Sequence, residues 1–167
     1  IGRALALAYS RPGATLALAG RDAARLETVA AACRARGAIV TTALLDVRDA
    51  HATSAFVTQA HARAPLEVVF ANAGIGAGLD ENPADIPLTR RIIETNLLGT
   101  LNTIEAALAV MRPQRSGHIV LTGSLAGLRG IPGSQGYSAS KAALKALAEG
   151  LRPQLAAEGI GISLVMP

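Results

Sequence analysis

Aromatic residues are nearly missing from this chain: tryptophan is absent, and two tyrosines and two phenylalanines make up 2% of 167 residues. So few rings leave almost nothing to stack on nucleobases. The excess of 16 lysines and arginines over 12 acidic residues therefore reads as solvated surface, not as a nucleic-acid footprint. A single cysteine, Cys33, excludes an internal disulfide framework. With three scattered histidines (His51, His61 and His118) it offers no metal-ligand spacing, and no metal is expected. No apolar run approaches the roughly 18 residues of a membrane span, so neither a span nor a secretory leader is expected. What is plentiful is short apolar runs, half of the chain being hydrophobic and interrupted by arginine, aspartate, 17 glycines and 8 prolines. That content suffices for one core and a single, incomplete domain over residues 1–167.

The incompleteness is expected from the ends. The chain opens on Ile1-Gly2-Arg3-Ala4-Leu5, with no polar cap and no strand before it, as though inside a helix. It closes on Ile162 to Pro167, an apolar run that stops where a strand hands over to a loop.

Between the ends, apolar runs alternate with helical patterns. Ala14 to Ala19 follows Pro12-Gly13, and Asp22 then caps a pattern in which Leu26, Val29, Ala30 and Cys33 share one face until Gly37. Strand signals recur at Ile39 to Leu45, Leu66 to Ala71, His118 to Thr122 and Gly161 to Met166. Helical patterns cover Asp49 to Arg63, the stretch from beyond Pro87 to about Met111, and Tyr137 to Ala157. Buried-type strands joined by crossover helices predict an α/β fold, a doubly wound parallel sheet of Rossmann type in three α/β/α layers. Ligands of such sheets sit beyond the carboxyl ends of the strands, which directs attention to Gly20-Arg21, Asp46-Val47, Asn72-Ala73-Gly74 and Thr122-Gly123-Ser124.

Tyr137-Ser138-Ala139-Ser140-Lys141 sets a phenol and an ammonium four residues apart at a helix start, hence on one face. With two tyrosines and two lysines in the chain, a chance Tyr-x-x-x-Lys is expected about 0.02 times, although a plain half-exposed helical pair would carry the same letters. Ser124, just past a strand, falls on the same rim and favours a chemical role. A fixed cation beside a phenol favours the phenolate, so Tyr137 could exchange a proton with an oxygen held by Ser124. That is general acid–base work on an alcohol or a carbonyl. It needs a hydride partner. No metal, thiol or flavin motif offers one, which makes a diffusible nicotinamide cofactor the simplest supplier.

In order along the chain, these motifs resemble the classical short-chain dehydrogenase/reductase family over nearly the whole length. The resemblance rests on Asn72-Ala73-Gly74, Asn96 within Glu94 to Gly99, Ser124 closing Val120-Leu121-Thr122-Gly123-Ser124, and Tyr137-x-x-x-Lys141. It implies that Tyr137 is the catalytic acid/base and that Ser124 polarises the substrate oxygen. Lys141 would bind the nicotinamide-ribose hydroxyls and favour the phenolate, and Asn96 would support a water in a proton relay. It further implies cofactor contacts at Gly2, Asn72, Ala73, Gly74, Tyr137, Lys141 and Pro167, with Asp46 (side chain) and Val47 (backbone) flanking the adenine. The family's first strand, which lies between two others, and its Thr-Gly-x-x-x-Gly-x-Gly loop would precede residue 1, leaving Ile1-Gly2 as the last two loop positions. A sheet lacking that strand, weak dinucleotide binding and an inactive chain are expected consequences. Pairing through the long helices into a homodimer or homotetramer is a further implication.

Cofactor choice turns on Gly20-Arg21. A carboxylate there would accept the adenosine 2′-hydroxyl and repel a 2′-phosphate, whereas a guanidinium favours NADP(H), with NAD possible. Plain surface charge at Arg21 and a simple strand-end cap at Asp46 are the alternatives. Two look-alikes fail. Gly74-Ile75-Gly76-Ala77-Gly78 has Leu79 where a dinucleotide fingerprint needs glycine, and no helix directly after it. Gly123-Ser124-Leu125-Ala126-Gly127 sets its serine beside the first glycine, unlike a hydrolase elbow. Cys33 and the apolar positions Ile92, Ile93, Leu97, Leu101, Ile104, Leu108, Leu144, Leu147 and Leu151 are assigned chiefly to the core, and His118 to a structural role. The expected activity is NADP(H)-linked interconversion of a small carbonyl and its alcohol in the cytoplasm, with Leu128, Ile131, Pro132 and Arg129 hinting at an apolar substrate. A non-catalytic dinucleotide-binding sensor or scaffold is the alternative, and an epimerase or dehydratase the third possibility.

Overall fold

The computed structural model describes residues 1–76 and 85–167, so the loop expected around Gly78, Leu79 and Pro83 lies outside the described residues. Helix α1 (Gly2–Tyr9) leads to β1 (Thr15–Gly20), α2 (Ala23–Arg34), β2 (Ile39–Leu44), α3 (Ala50–Arg63) and β3 (Val68–Ala71). Then come α4 (Ile86–Ile93), a π turn (Glu94–Leu98), α5 (Gly99–Gln114), β4 (Gly117–Thr122), a 3-10 turn (Leu125–Gly127), α6 (Gln135–Ala157) and β5 (Ile160–Val165). Asp22 caps α2 as expected, its carboxylate accepting the Arg25 N–H at 3.0 Å and so satisfying one of the donors that a helix start leaves free. Asp49 does the same for α3 through the Ala52 N–H at 2.9 Å.

Every strand pair is parallel, in the ladders β1-β2 and β3-β4-β5, and each consecutive pair is bridged by a helix. This is the Rossmann-like α/β fold that the alternation predicts. No ladder joins β1 to β3 among the described residues. Helix α1 packs on α2, whereas α3 lies against α5 and α4 against α6.

The core belongs to the three-stranded half. Ile119 and Leu121 of β4, Ile160 and Ile162 of β5, Ile104, Leu108 and Met111 of α5 and Leu155 of α6 form one cluster. Each such aliphatic side chain contributes roughly 1.5–3 kcal/mol on leaving water. Three expectations need correction. Strand β2 is not of the buried type: Ile39 and Leu44 are 63% and 66% exposed, because a two-stranded ladder with α2 packed on it covers less of its own surface. The segment expected as one long helix is broken by the π turn, and its first turn already contains Pro87, whose missing N–H costs nothing there. Leu101, assigned to the core with its neighbours, is 37% exposed, whereas Ile92, Ile104, Leu108 and Leu144 are buried. Cys33 is fully buried, as its apolar helix face implied.

Candidate active site

Strands β3 and β4 deliver their carboxyl ends side by side, Ala71 pairing with Leu121, and the segments that follow them form the site. Just past β3, Asn72 accepts the Thr122 hydroxyl at 3.2 Å. Gly2, at the start of α1, sits against the same carboxamide: a Cβ there would come 2.9 Å from Asn72 Nδ2. Ala73 is exposed. Gly74 lies so close to the centre of the site that a Cβ would meet Asn96 Oδ1 at 3.2 Å and Lys141 Nζ at 3.6 Å.

The π turn sets Asn96. An extra residue in a helical turn is a local distortion, common at functional sites, and here it buries a carboxamide completely. Asn96 Oδ1 accepts the Ile75 N–H at 2.7 Å, while Nδ2 donates to the Ile75 carbonyl at 2.9 Å and to Ser140 Oγ at 3.1 Å. Ser140 in turn donates to the Tyr137 carbonyl at 2.7 Å. One asparagine thus ties the segment after β3 to the second turn of α6.

The first two turns of α6 carry Tyr137 and Lys141. The Tyr137 ring is half-buried, and Lys141 Nζ stands 5.5 Å from its centroid. Lys141 is 4% exposed and donates to the Thr122 carbonyl, at the end of β4, at 2.7 Å. Among the described residues no carboxylate pairs with it, and burial pushes its ammonium below the ordinary lysine value. An ammonium has three donors. Only one is used among the described residues.

Ser124 caps the 3-10 turn, its Oγ accepting the Ala126 N–H at 3.2 Å. Its own proton has no acceptor among the described residues and is available to an oxygen placed in the site. Pro167 lies beside this strand end, its carbonyl accepting the Leu125 N–H at 3.5 Å.

Arg21, Asp46 and Val47 are not part of this cluster; they stand past the ends of β1 and β2. Arg21 is exposed and acts on Asp46 electrostatically. The side-chain hydrogen bonds and charge of Arg48, aided by Arg21, hold the Asp46 carboxyl at about 2. Val47 gives its carbonyl to Asn102 Nδ2 at 2.8 Å. An open cleft of about 540 Å³ lined by Asp46, Arg48, Asp49, Glu94 and Leu98 opens at this rim and includes none of Ser124, Tyr137 and Lys141. His118 is structural, bonded through Nε2 to Ser163 Oγ at 2.8 Å.

Sequence patterning missed Ser140, Arg48 and Asn102, and also the Thr122 carbonyl, which as backbone carries no residue-type signal. Asparagine in mid-helix, an unfavourable choice there, was the one hint of the π turn.

A family model described as short chain dehydrogenase matches residues 1–167. A Myxococcus xanthus protein named as an uncharacterized oxidoreductase is 37% identical over 168 residues, which takes in 100% of this chain and 66% of that protein. The structure of an NAD+-bound xylitol dehydrogenase superposes with a TM-score of 0.88 at 29% identity, covering 99% of this chain and 64% of that one. That of an alcohol dehydrogenase from Thermococcus sibiricus, complexed with 5-hydroxy-NADP, gives 0.83 at 30% identity, covering 99% and 69%. The chain therefore spans about two thirds of the length of the proteins it matches.

Proposed function

The chain belongs to the short-chain dehydrogenase family, and from that premise we propose that it carries the proton-handling centre of an NADP(H)-preferring oxidoreductase that interconverts a small carbonyl compound and its secondary alcohol. The observation that carries this proposal is the buried Lys141 ammonium, one helical turn from the Tyr137 phenol and held by the Thr122 carbonyl with no counter-charge among the described residues.

The residues present fit a nicotinamide dinucleotide. Lys141 has unused donors for ribose hydroxyls, and Gly74 leaves beside Asn96 and Lys141 the space that a Cβ would take. Asn72 and Gly2 line the neighbouring position, and Asp46 and Val47 offer a carboxylate and a backbone at the adenine end. Arg21, exposed just past β1, would take a 2′-phosphate. When bound, the cofactor supplies or accepts the hydride. The chain's own residues handle the proton. Ser124 donates its hydroxyl hydrogen to the substrate oxygen and fixes it. Tyr137 gives that oxygen a proton during reduction and takes one from the hydroxyl during oxidation. Lys141 stabilises the negative charge that develops on the phenolic oxygen as its proton leaves. Asn96 keeps the Ile75 backbone and the second turn of α6 in register.

The test is a carbonyl panel offered to the purified full-length protein with NADPH, following loss of the reduced nicotinamide absorbance. Consumption with at least one carbonyl is expected. Saturable NADPH binding with no consumption across the panel would instead favour a non-catalytic dinucleotide sensor.

A further inference from the structure

Asp46 and Arg48 stand two residues apart past the end of β2, and one carboxylate receives four contacts from its neighbour. The Arg48 backbone N–H donates to Oδ1 at 3.0 Å, Nε reaches Oδ1 and Oδ2 at 3.1 Å each, and Nη2 donates to Oδ2 at 2.7 Å. An ionised carboxylate offers about four lone-pair sites. Three N–H groups, one of them shared between both oxygens, take up most of these sites, so a ligand's donor must compete with Arg48 for the carboxylate.

The pair is nonetheless easy to open. The Arg48 and Asp46 side chains are 43% and 31% exposed, and both line the 540 Å³ cleft. Ion pairs in such settings are weak because water and salt compete for both partners. The backbone beneath them is fixed from α5. Asn102 Nδ2 donates to the Val47 carbonyl at 2.8 Å, and Val47 packs so tightly over Gly99 that a Cβ there would lie 2.5 Å from its Cγ2. The guanidinium can therefore rotate without moving the loop. Glu94, in the same cleft, attracts Arg48 and offers it a second carboxylate.

We propose that Arg48 is an affinity-lowering latch on Asp46, occupying the carboxylate until an N–H donor such as the exocyclic amine of a purine displaces it towards Glu94. This rests on Asp46 lying at the adenine end, as assigned under the proposed function. A ligand that lacks such a donor leaves the latch shut and gains nothing from Asp46. A ligand that carries one must first outcompete the guanidinium, so the latch reduces what Asp46 contributes to binding and narrows the margin over a base without the donor.

Adenosine is the probe, since without phosphates it draws no charge attraction from Arg21 or Arg48. Its binding to the purified protein is measured by calorimetry or ligand-observed NMR for wild type, Arg48→Ala, Asp46→Ala and the double variant. Arg48→Ala is expected to tighten adenosine binding about two- to five-fold, the range of an exposed ion pair. Added salt should tighten binding to wild type but not to Arg48→Ala. In the Asp46→Ala background the Arg48 substitution should have no effect. Unchanged or weaker binding by Arg48→Ala overturns the latch and leaves the cofactor assignment standing. Adenosine binding that Asp46→Ala does not weaken, or that wild type lacks altogether, overturns the placement of Asp46 at the adenine and the latch with it.

Discussion

At the scale of single residues, Lys141 stands under the greatest conflict. It is buried with one carbonyl partner and no counter-charge among the described residues, so its ammonium is held at a cost to folding that its proposed chemistry requires. The sign of the pH effect follows. Burial lowers its folded pKa below the ordinary 10.5, so as pH rises towards 10.5 the folded protein releases a proton that the unfolded chain still binds. Stability contributed at this site must rise with pH across that window. Denaturant midpoints of wild type and Lys141→Met, compared from neutral pH to 10.5, should move in favour of wild type as the pH climbs. Parallel curves would mean that the ammonium is not desolvated. Tyr137, Lys141, Ser124 and Asn96 could all be picked out in the sequence, because their chemistry is unusual in their local pattern. Ser140 and Arg48 could not: a serine in a helix and an arginine beside an aspartate are ordinary residues whose partners only the fold reveals.

At the scale of elements, the site depends on how closely the 3-10 turn after β4 approaches α6. Gly127 makes that approach possible. A Cβ there would fall 2.7 Å from the Lys141 carbonyl carbon and 2.8 Å from its oxygen, and backbone atoms cannot move aside by changing rotamer. Gly127→Ala should destabilise by about 1–3 kcal/mol through overpacking, and should lower turnover because the turn that carries Ser124 is pushed off α6. Gly150, in the interior of α6 with nothing within 4 Å of its would-be Cβ, is the control. Gly150→Ala should stabilise by roughly 0.5–1 kcal/mol, the helix-propensity gain. Denaturant unfolding reads both; a Gly127→Ala protein as stable as wild type would show that the contact is slack. The helices and strands were legible in outline from their apolar periodicity. The π turn was not, because Ile93, Leu97, Leu101, Ile104 and Leu108 run at steps of three and four residues straight across it, as they would along an uninterrupted helix.

At the scale of the whole molecule, the alternation of strands and helices was enough to predict a parallel α/β fold, since each crossover needs a long connection and each connection is helical. The division into two ladders, with the core in β3-β4-β5, was not readable from the residues alone, because strand neighbours are chosen by contacts distant in sequence. The division carries a functional consequence. The residues proposed to handle the proton stand on the densely packed half, whereas Arg21, Asp46 and Arg48, proposed to meet the adenine end of the cofactor, stand on the thinly covered pair β1-β2. The central claim is that the Tyr137 phenol moves the proton. It is tested most directly by Tyr137→Phe in the purified full-length protein, with turnover of a carbonyl substrate and binding of NADPH measured side by side. The phenyl ring keeps the packing and removes only the hydroxyl, so NADPH binding should hold while turnover falls by about 10²-fold or more. Turnover equal to wild type would contradict it.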